Sequence, residues 1–449
     1  MSPLLATRRS VLFGSAALGA TALLGCTPRY ENPTPVVFVH GNGDTAALWH
    51  TSFWRWESNG FPRDRLFAID FPYPLARSND AVYQRLRSSS TDQREQLAAF
   101  VAEVKWRTNA PKVALVGSSR GGNAIRNYVK NGGGAAHVSH AVLCGTPNHG
   151  VVVSQSALAG SEFNGAAPFL QQLNAGPNEV VPGVAWMTTR SDNADKFAQP
   201  DGRYLGMPGQ PTGVTFEGPA LNGAKNVVLP DLDHREVAFH PQAFAAIFEF
   251  LMNAAPATTG IAAEARPVLN GKVNGMPGGV QTNLPVAGAV IEIHETEPQT
   301  GRRRRLVHRQ ETGRDGYWGP FTASSSATYE FVISTPDSPV THIYRSPFPR
   351  SSSIIHLRPG TLSDKDKLAG SVVTLSRPRG YFGPDDIVTF DGQRAPGIPD
   401  GVPTVSTSTL LLPPGAPQQS ITCRFNEETI VVQSWPVADN RVVIAELHY

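Results

Sequence analysis

The chain has 449 residues, more than one ordinary core accommodates, so two or three domains are expected. Apolar residues make up 40% and charged residues 17%, which excludes a disordered chain or a solvated rod. The 39 basic and 37 acidic residues nearly cancel, which removes any electrostatic case for a nucleic-acid partner, and 42 Gly with 38 Pro argue against a helical bundle.

Arg8 and Arg9 precede the apolar run 11–24, which falls short of the ~20 residues that span a bilayer. The pair ahead of a short apolar stretch is the pattern of a twin-arginine export signal. Leu23-Leu24-Gly25-Cys26 resembles a bacterial lipobox, in which Cys26 is acylated and begins the mature chain. The alternative is a plain signal peptide followed by a chance Cys. The expectation is therefore an exported protein, periplasmic or at the cell surface and lipid-anchored through Cys26, or secreted. The other two Cys, 144 and 423, have no metal-ligand spacing and read as buried small hydrophobes, so no metal and no cofactor is expected.

From about residue 33 to 255 short apolar runs alternate with helical patterns. The strands are expected at 35–39, 65–70, 112–116, 138–144, 184–188 and 226–229, and the helices at 93–106, 122–130 and 241–252. That alternation predicts an α/β fold with a mostly parallel sheet covered on both faces. Beyond residue 260, the segments at 290–295, 329–333 and 441–449 alternate with period two and lack helical patterns, predicting an all-β region of one or two sandwiches, with a division near 360–367. The run Arg302–Arg305 reads as a solvated hairpin rather than a polyanion site.

Gly117-Ser118-Ser119-Arg120-Gly121 fits a Gly-x-Ser-x-Gly elbow, a permissive pattern whose weight comes from context. An apolar strand runs into it and a helix opens after it, so the central Ser119 is presented at the positive end of a helix. Ser118 occupies a position that the turn does not present. Upstream, His40-Gly41-Asn42-Gly43 ends another strand. The amides of Asn42 and Arg120 are the candidate oxyanion hole, and His40 is read as fixing its turn. In this type of site the order is Ser, then acid, then His. His234 follows the strand 226–229, whereas His240 stands before Pro241 and reads as a helix cap. Asp195 is the candidate acid and Asp192, on the same loop, its rival. The apolar segment 151–183 suits a wall or lid for an acyl chain, or else extra core.

Taken in order, His40–Asn42, Gly117–Gly121, Cys144–Gly150, Thr188–Asp195 and Asp233–Glu236 resemble bacterial secreted lipases and esterases of the α/β-hydrolase superfamily, close to lipase class 2, over residues 33–253. The resemblance implies an α/β-hydrolase fold, a carboxylic ester hydrolase, and nucleophile, acid and base at Ser119, Asp195 and His234. Residues 190–201 are also similar to a segment of extracellular polyhydroxyalkanoate depolymerases. Ser118 stands where many such lipases carry His. Gly271–Gly275, Thr312–Gly316 and Tyr329–Phe331 resemble a transthyretin-like or carboxypeptidase-regulatory-like sandwich.

The expected organisation is a signal over 1–25, a catalytic domain over 26–256, a sandwich over 257–360 and a β-rich domain over 361–449. The expected activity is a Ser-Asp-His esterase or lipase acting on lipid or small esters, with a polyester depolymerase as the alternative. A lipid-tethered binding protein on a hydrolase scaffold is the alternative from another class. The catalytic half is expected to fold and act alone, with the β half as a surface tether.

Overall fold

The computed structural model describes residues 30–449; Arg8, Arg9 and Cys26 lie outside the described residues. In the N-terminal half, β1 (Val36–Val39), β2 (Leu66–Ile69), β3 (Val113–Ser118), β4 (Val138–Cys144), β5 (Ala185–Arg190) and β6 (Lys225–Val228) form one six-stranded sheet. The order is β2-β1-β3-β4-β5-β6 and every neighbouring pair is parallel. Parallel neighbours need long crossovers, and α1 (His50–Ser58), α2 (Ser90–Thr108), α3 (Arg120–Asn131), α4 (Pro168–Asn174), α5 (Glu236–Phe239) and α6 (Pro241–Met252) lie in those connections or after the last strand. This is an α/β-hydrolase core.

Alternate residues of β1 show how both faces are buried. Val37 and Val39 pack with Leu97 and Val101 of α2 and Ile125 of α3. Val36 and Phe38 pack with Phe53 of α1 and Phe248 of α6. The start of α2 is set by a capping box, with Ser89 Oγ accepting from the Asp92 amide at 3.1 Å and the Asp92 carboxylate from the Ser89 amide at 2.7 Å. The short helices α4 and α5, and α1, do not stand out in the sequence. In α1 the reason is that almost every side chain is buried, His50 and Arg55 included, so there is no polar stripe to give a helical period.

The C-terminal half is built from β7 (Val268–Leu269), β8 (Val290–Thr296), β9 (Arg303–Glu311), β10 (Phe321–Thr322), β11 (Thr328–Ser334), β12 (Val340–Arg345), β13 (Ser371–Ser376), β14 (Val388–Phe390), β15 (Gln393–Arg394), β16 (Thr407–Leu412), β17 (Ser420–Phe425), β18 (Glu428–Gln433) and β19 (Arg441–Glu446). A seven-stranded sheet in the order β16-β13-β19-β12-β11-β8-β9 is its centre. One face packs on the β7–β10 ribbon and the segment around Phe348 and Ile355. The other packs on a four-stranded sheet, β15-β14-β17-β18. The two sandwich layers thus share one middle sheet. Strands from either side of residue 360 are hydrogen-bonded neighbours in it, because β12 and β13 both pair with the last strand, β19. The basic run lies on the edge strand β9, with Arg303 paired to Glu330 and Arg304 and Arg305 to Glu295. Charge on an edge strand discourages further pairing. Cys144 and Cys423 are buried free thiols.

The two halves share a buried interface, contrary to the expectation of a self-sufficient catalytic half. Trp54 of α1 is fully buried within the core of the C-terminal half, its indole N–H donating to the Ser351 carbonyl at 3.0 Å. Arg379, also buried, donates to the carbonyls of Leu48 at 3.0 Å and Leu447 at 3.2 Å. Burial and the nearby guanidiniums of Arg379 and Arg345 push His448 down to about 3, so it stays neutral in this joint. Asp70 sits between Lys272 and His356, each at 2.8 Å, and these partners outweigh its burial to hold its carboxyl well below the usual range. A chain ended near Pro256 would expose Trp54 and strand Asp70 without its cations. Such a chain is expected to aggregate or to melt far below the full-length protein. A soluble truncated form with full-length melting temperature and soluble-ester turnover would refute this.

Candidate active site

Ser119 joins β3 to α3 with φ 52° and ψ −122°, on the positive-φ side that L-residues avoid. The turn is possible because its neighbours are small: a Cβ on Gly121 would run into the carbonyl oxygens of Val39 and His40. The Ser119 amide donates to the Cys144 carbonyl at 2.8 Å, tying the elbow to β4. His234 Nε2 lies 3.0 Å from Ser119 Oγ, and His234 Nδ1 lies 2.9 Å from Asp195 Oδ2. A carboxylate can only accept, so Nδ1 carries the proton and the Nε2 lone pair faces the serine hydroxyl. Asp195 is itself fixed by the Phe197 amide, which donates to its Oδ1 at 2.8 Å, and the Phe197 ring packs edge-on to the imidazole at 4.7 Å. His234 and Asp195 are both buried.

The structure thus brings together Ser119, His234 and Asp195. Asp192 stands apart: its Oδ1 accepts from the amides of Asn193 and Asp231, pinning the loop that carries Asp195 to the loop that carries His234. His40 accepts from the Phe71 amide through Nε2 at 3.1 Å, and His240 caps α6 by accepting from the Gln242 amide. Burial lowers the His40 pKa, consistent with a neutral ring serving as acceptor.

Asn42 lies in the same cavity as Ser119, and its Oδ1 accepts from the Ala76 amide at 2.7 Å, which fixes the loop after β1. Gly41 in that loop lies so close that a Cβ there would be 3.2 Å from Ser119 Cβ. The amide of Arg120 opens α3 directly after the elbow. The Arg120 side chain has a role that the sequence did not reveal. It is fully buried, forms two 2.6 Å bonds to Glu162, and donates to the carbonyls of Pro74 and Ser88 at 3.0 and 2.8 Å. The residue after Ser119 therefore locks two of the loops that wall the cavity. The cavity, about 450 Å³, carries Val151, Leu158 and Phe163 on that wall, while Leu170 and Leu173 of the same segment are core.

The histidine loop is held from the C-terminal half. Asp233 Oδ1 accepts from the amides of Arg235 and Glu236, and Oδ2 accepts from the Tyr381 amide at 2.7 Å and from Arg377 at 3.3 Å. Arg377 also reaches Glu236 at 2.5 Å, while Arg235 donates to the Pro378 carbonyl and pairs with Asp44. Burial, and then the neighbouring Glu236 carboxylate, raise Asp233 to about 7, with Arg377 pulling the other way. The Tyr381 ring lines the cavity, and Lys196, next to Asp195, sits over it at 4.1 Å.

Comparison with known families places these features together. Residues 33–199 match the class 2 lipase model and residues 268–362 match the model of a lipase C-terminal domain. The chain is a lipase class 2-like hydrolase, and as an enzyme it is a carboxylic ester hydrolase. Among solved structures it is similar to the mature form of lipase BlEst2 from Bacillus licheniformis (21% identity, 50% of this chain and 94% of that one, TM-score 0.38). It is also similar to lipase B of Aspergillus fumigatus (18%, 51% and 54%, 0.37) and to phospholipase PlaB of Legionella pneumophila (12%, 92% and 93%, 0.36).

Replacing Arg377 by Met would leave Asp233 and Glu236 as buried carboxylates without their cation. The expected cost is about 3–5 kcal/mol, read as a lowered melting temperature, with reduced ester turnover where the variant is still folded. Unchanged melting and turnover would remove Arg377 from this role.

Proposed function

We propose that the protein hydrolyses carboxylic esters through a Ser119-His234-Asp195 triad and an acyl-enzyme. The observation that carries the reading is the continuous hydrogen-bonded line from Asp195 through His234 to Ser119, ending in an apolar-walled cavity. His234 Nε2 takes the proton from Ser119 as Oγ attacks the ester carbon, and the amides of Asn42 and Arg120 receive the oxyanion. His234 then gives that proton to the departing alcohol. A water, deprotonated by the same nitrogen, attacks the acyl group and releases the acid. Asp195 keeps the imidazole in the working tautomer and stabilises it when it is protonated.

The apolar wall suits the acyl part of a lipid or small ester; a polyester depolymerase uses the same machinery. We further propose export by the twin-arginine route and acylation at Cys26, carried by Arg8-Arg9 and Leu23–Cys26 in the sequence. The mass of the N-terminal peptide from a membrane fraction tests the acylation.

Ser119→Ala is expected to lower turnover by about 10⁴–10⁶ with little change in melting temperature, and a fluorophosphonate should label Ser119 alone in the native chain. Labelling at Ser118 would overturn the nucleophile. Asp195→Asn should cost about 10³–10⁴, because an amide favours the wrong tautomer of His234. Asp192→Asn retains a carbonyl acceptor for its two amides and should cost only a few-fold; the reverse ranking would transfer the acid role.

A further inference from the structure

The cavity at Ser119 has two unlike walls. One is apolar, with Leu158 and Phe163. The other is a single loop, 76–87, that contributes Arg77, Ser78, Gln84 and Arg87. This loop is held in shape. The Arg77 amide donates to the Ser88 carbonyl at 3.2 Å, and the Asp80 amide donates to the Gly160 carbonyl of the opposite wall at 2.8 Å. Gln84 Oε1 accepts from the Ser78 amide at 3.0 Å, and Ala76 is bound to Asn42 as described above.

The guanidiniums facing this cavity differ in their partners. Arg235 is paired with Asp44 at 2.8 Å, and Arg77 with Asp92 at 2.8 Å. Beneath them Arg120 and Glu162 neutralise each other. Arg87 remains: it donates from Nη1 to the Ala76 carbonyl at 2.9 Å, and among the described residues no carboxylate pairs with it. Arg87 thus faces this partly enclosed cavity without a carboxylate partner, the loop's own Asp80 being bound by the Ser90 amide and hydroxyl at 2.7 and 2.6 Å, and its field is screened less there than on an open surface. A neutral ester would gain nothing from that charge. A substrate oxyanion would gain a charge-assisted pair whose planar geometry suits carboxylate or phosphate.

We propose that loop 76–87 is an anion subsite centred on Arg87, and that the preferred substrates are esters carrying a carboxylate or phosphate group elsewhere in the same molecule. The proposal rests on the triad reading above, which supplies the hydrolysis. The shared chemistry is an oxyanion held by a guanidinium. Its source, a half-ester of a dicarboxylic acid or a phosphate-bearing glycerol ester, is for the test to decide.

The experiment uses the full chain and two matched pairs of substrates. One pair is p-nitrophenyl butyrate and the mono-p-nitrophenyl ester of glutaric acid; the other is dibutyrylglycerol and its phosphate ester. The quantity read is the ratio of kcat/KM for the anionic over the neutral member, at low and high salt. The native chain is expected to favour the anionic member of at least one pair by about 10-fold, the size of one charge-assisted bond, with the preference shrinking as salt rises. Arg87→Gln should remove that preference, mostly through KM, and Arg87→Glu should invert it. A preference confined to one pair identifies carboxylate or phosphate as the source. A native ratio at or below one in both pairs, or a ratio that Arg87→Gln and salt leave unchanged, overturns the subsite. Ser119→Ala run beside them keeps the two readings apart: turnover surviving in that variant defeats the triad, whereas turnover lost there with an unmoved Arg87 ratio defeats only the subsite.

Discussion

Asp233 is fully buried and accepts from four donors, the amides of Arg235, Glu236 and Tyr381 and the guanidinium of Arg377. Two of these donors belong to the histidine loop and two to the C-terminal half. A buried carboxylate without such partners would take up a proton or force the loop apart, since the desolvation penalty for the ion is several kcal/mol. His234 is the next residue in the chain, so its position is set by how this one carboxylate is satisfied. The seven-stranded sheet thus reaches the chemistry through segment 377–381.

A second buried ion pair organises the other side of the cavity. Arg120 follows Ser119 and grips Glu162 in the wall segment and the carbonyls of Pro74 and Ser88 in the facing loop. The elbow, the apolar wall and loop 76–87 are therefore one unit. Displacing any of them breaks bonds to a charge that water cannot reach, which keeps the walls of the cavity in fixed relation to Ser119. The same logic joins the halves at Asp70 and Arg379, where buried charges from one half find their partners in the other.

Much of this was legible in the chain. The strand runs read as ending at Val39, Val116 and Cys144 and the helix 241–252 follow from short-range periodicity, β3 running on two residues to Ser118, and the Gly residues around Ser119 mark a turn where a Cβ does not fit. The order of Ser119, Asp195 and His234 along the chain followed from the strands that precede them, and the structure brings those three side chains together. Helix α1 was hidden because burial on every side erases the polar stripe that reveals a helix. Asp195 could not be separated from Asp192 by residue type, because two carboxylates three positions apart on one loop differ only in which partner the folded chain gives them.

The sequence by itself determined the two kinds of architecture and the residues at the elbow, since period, turn chemistry and spacing act over a few neighbours. Only the tertiary structure decided that the halves depend on each other, that Arg120 holds Glu162, and that Arg377 lies 144 residues from the Asp233 it pairs with. Such pairs leave no local pattern: an Arg destined for the interior reads like an Arg on the surface until the backbone around it has folded and excluded water.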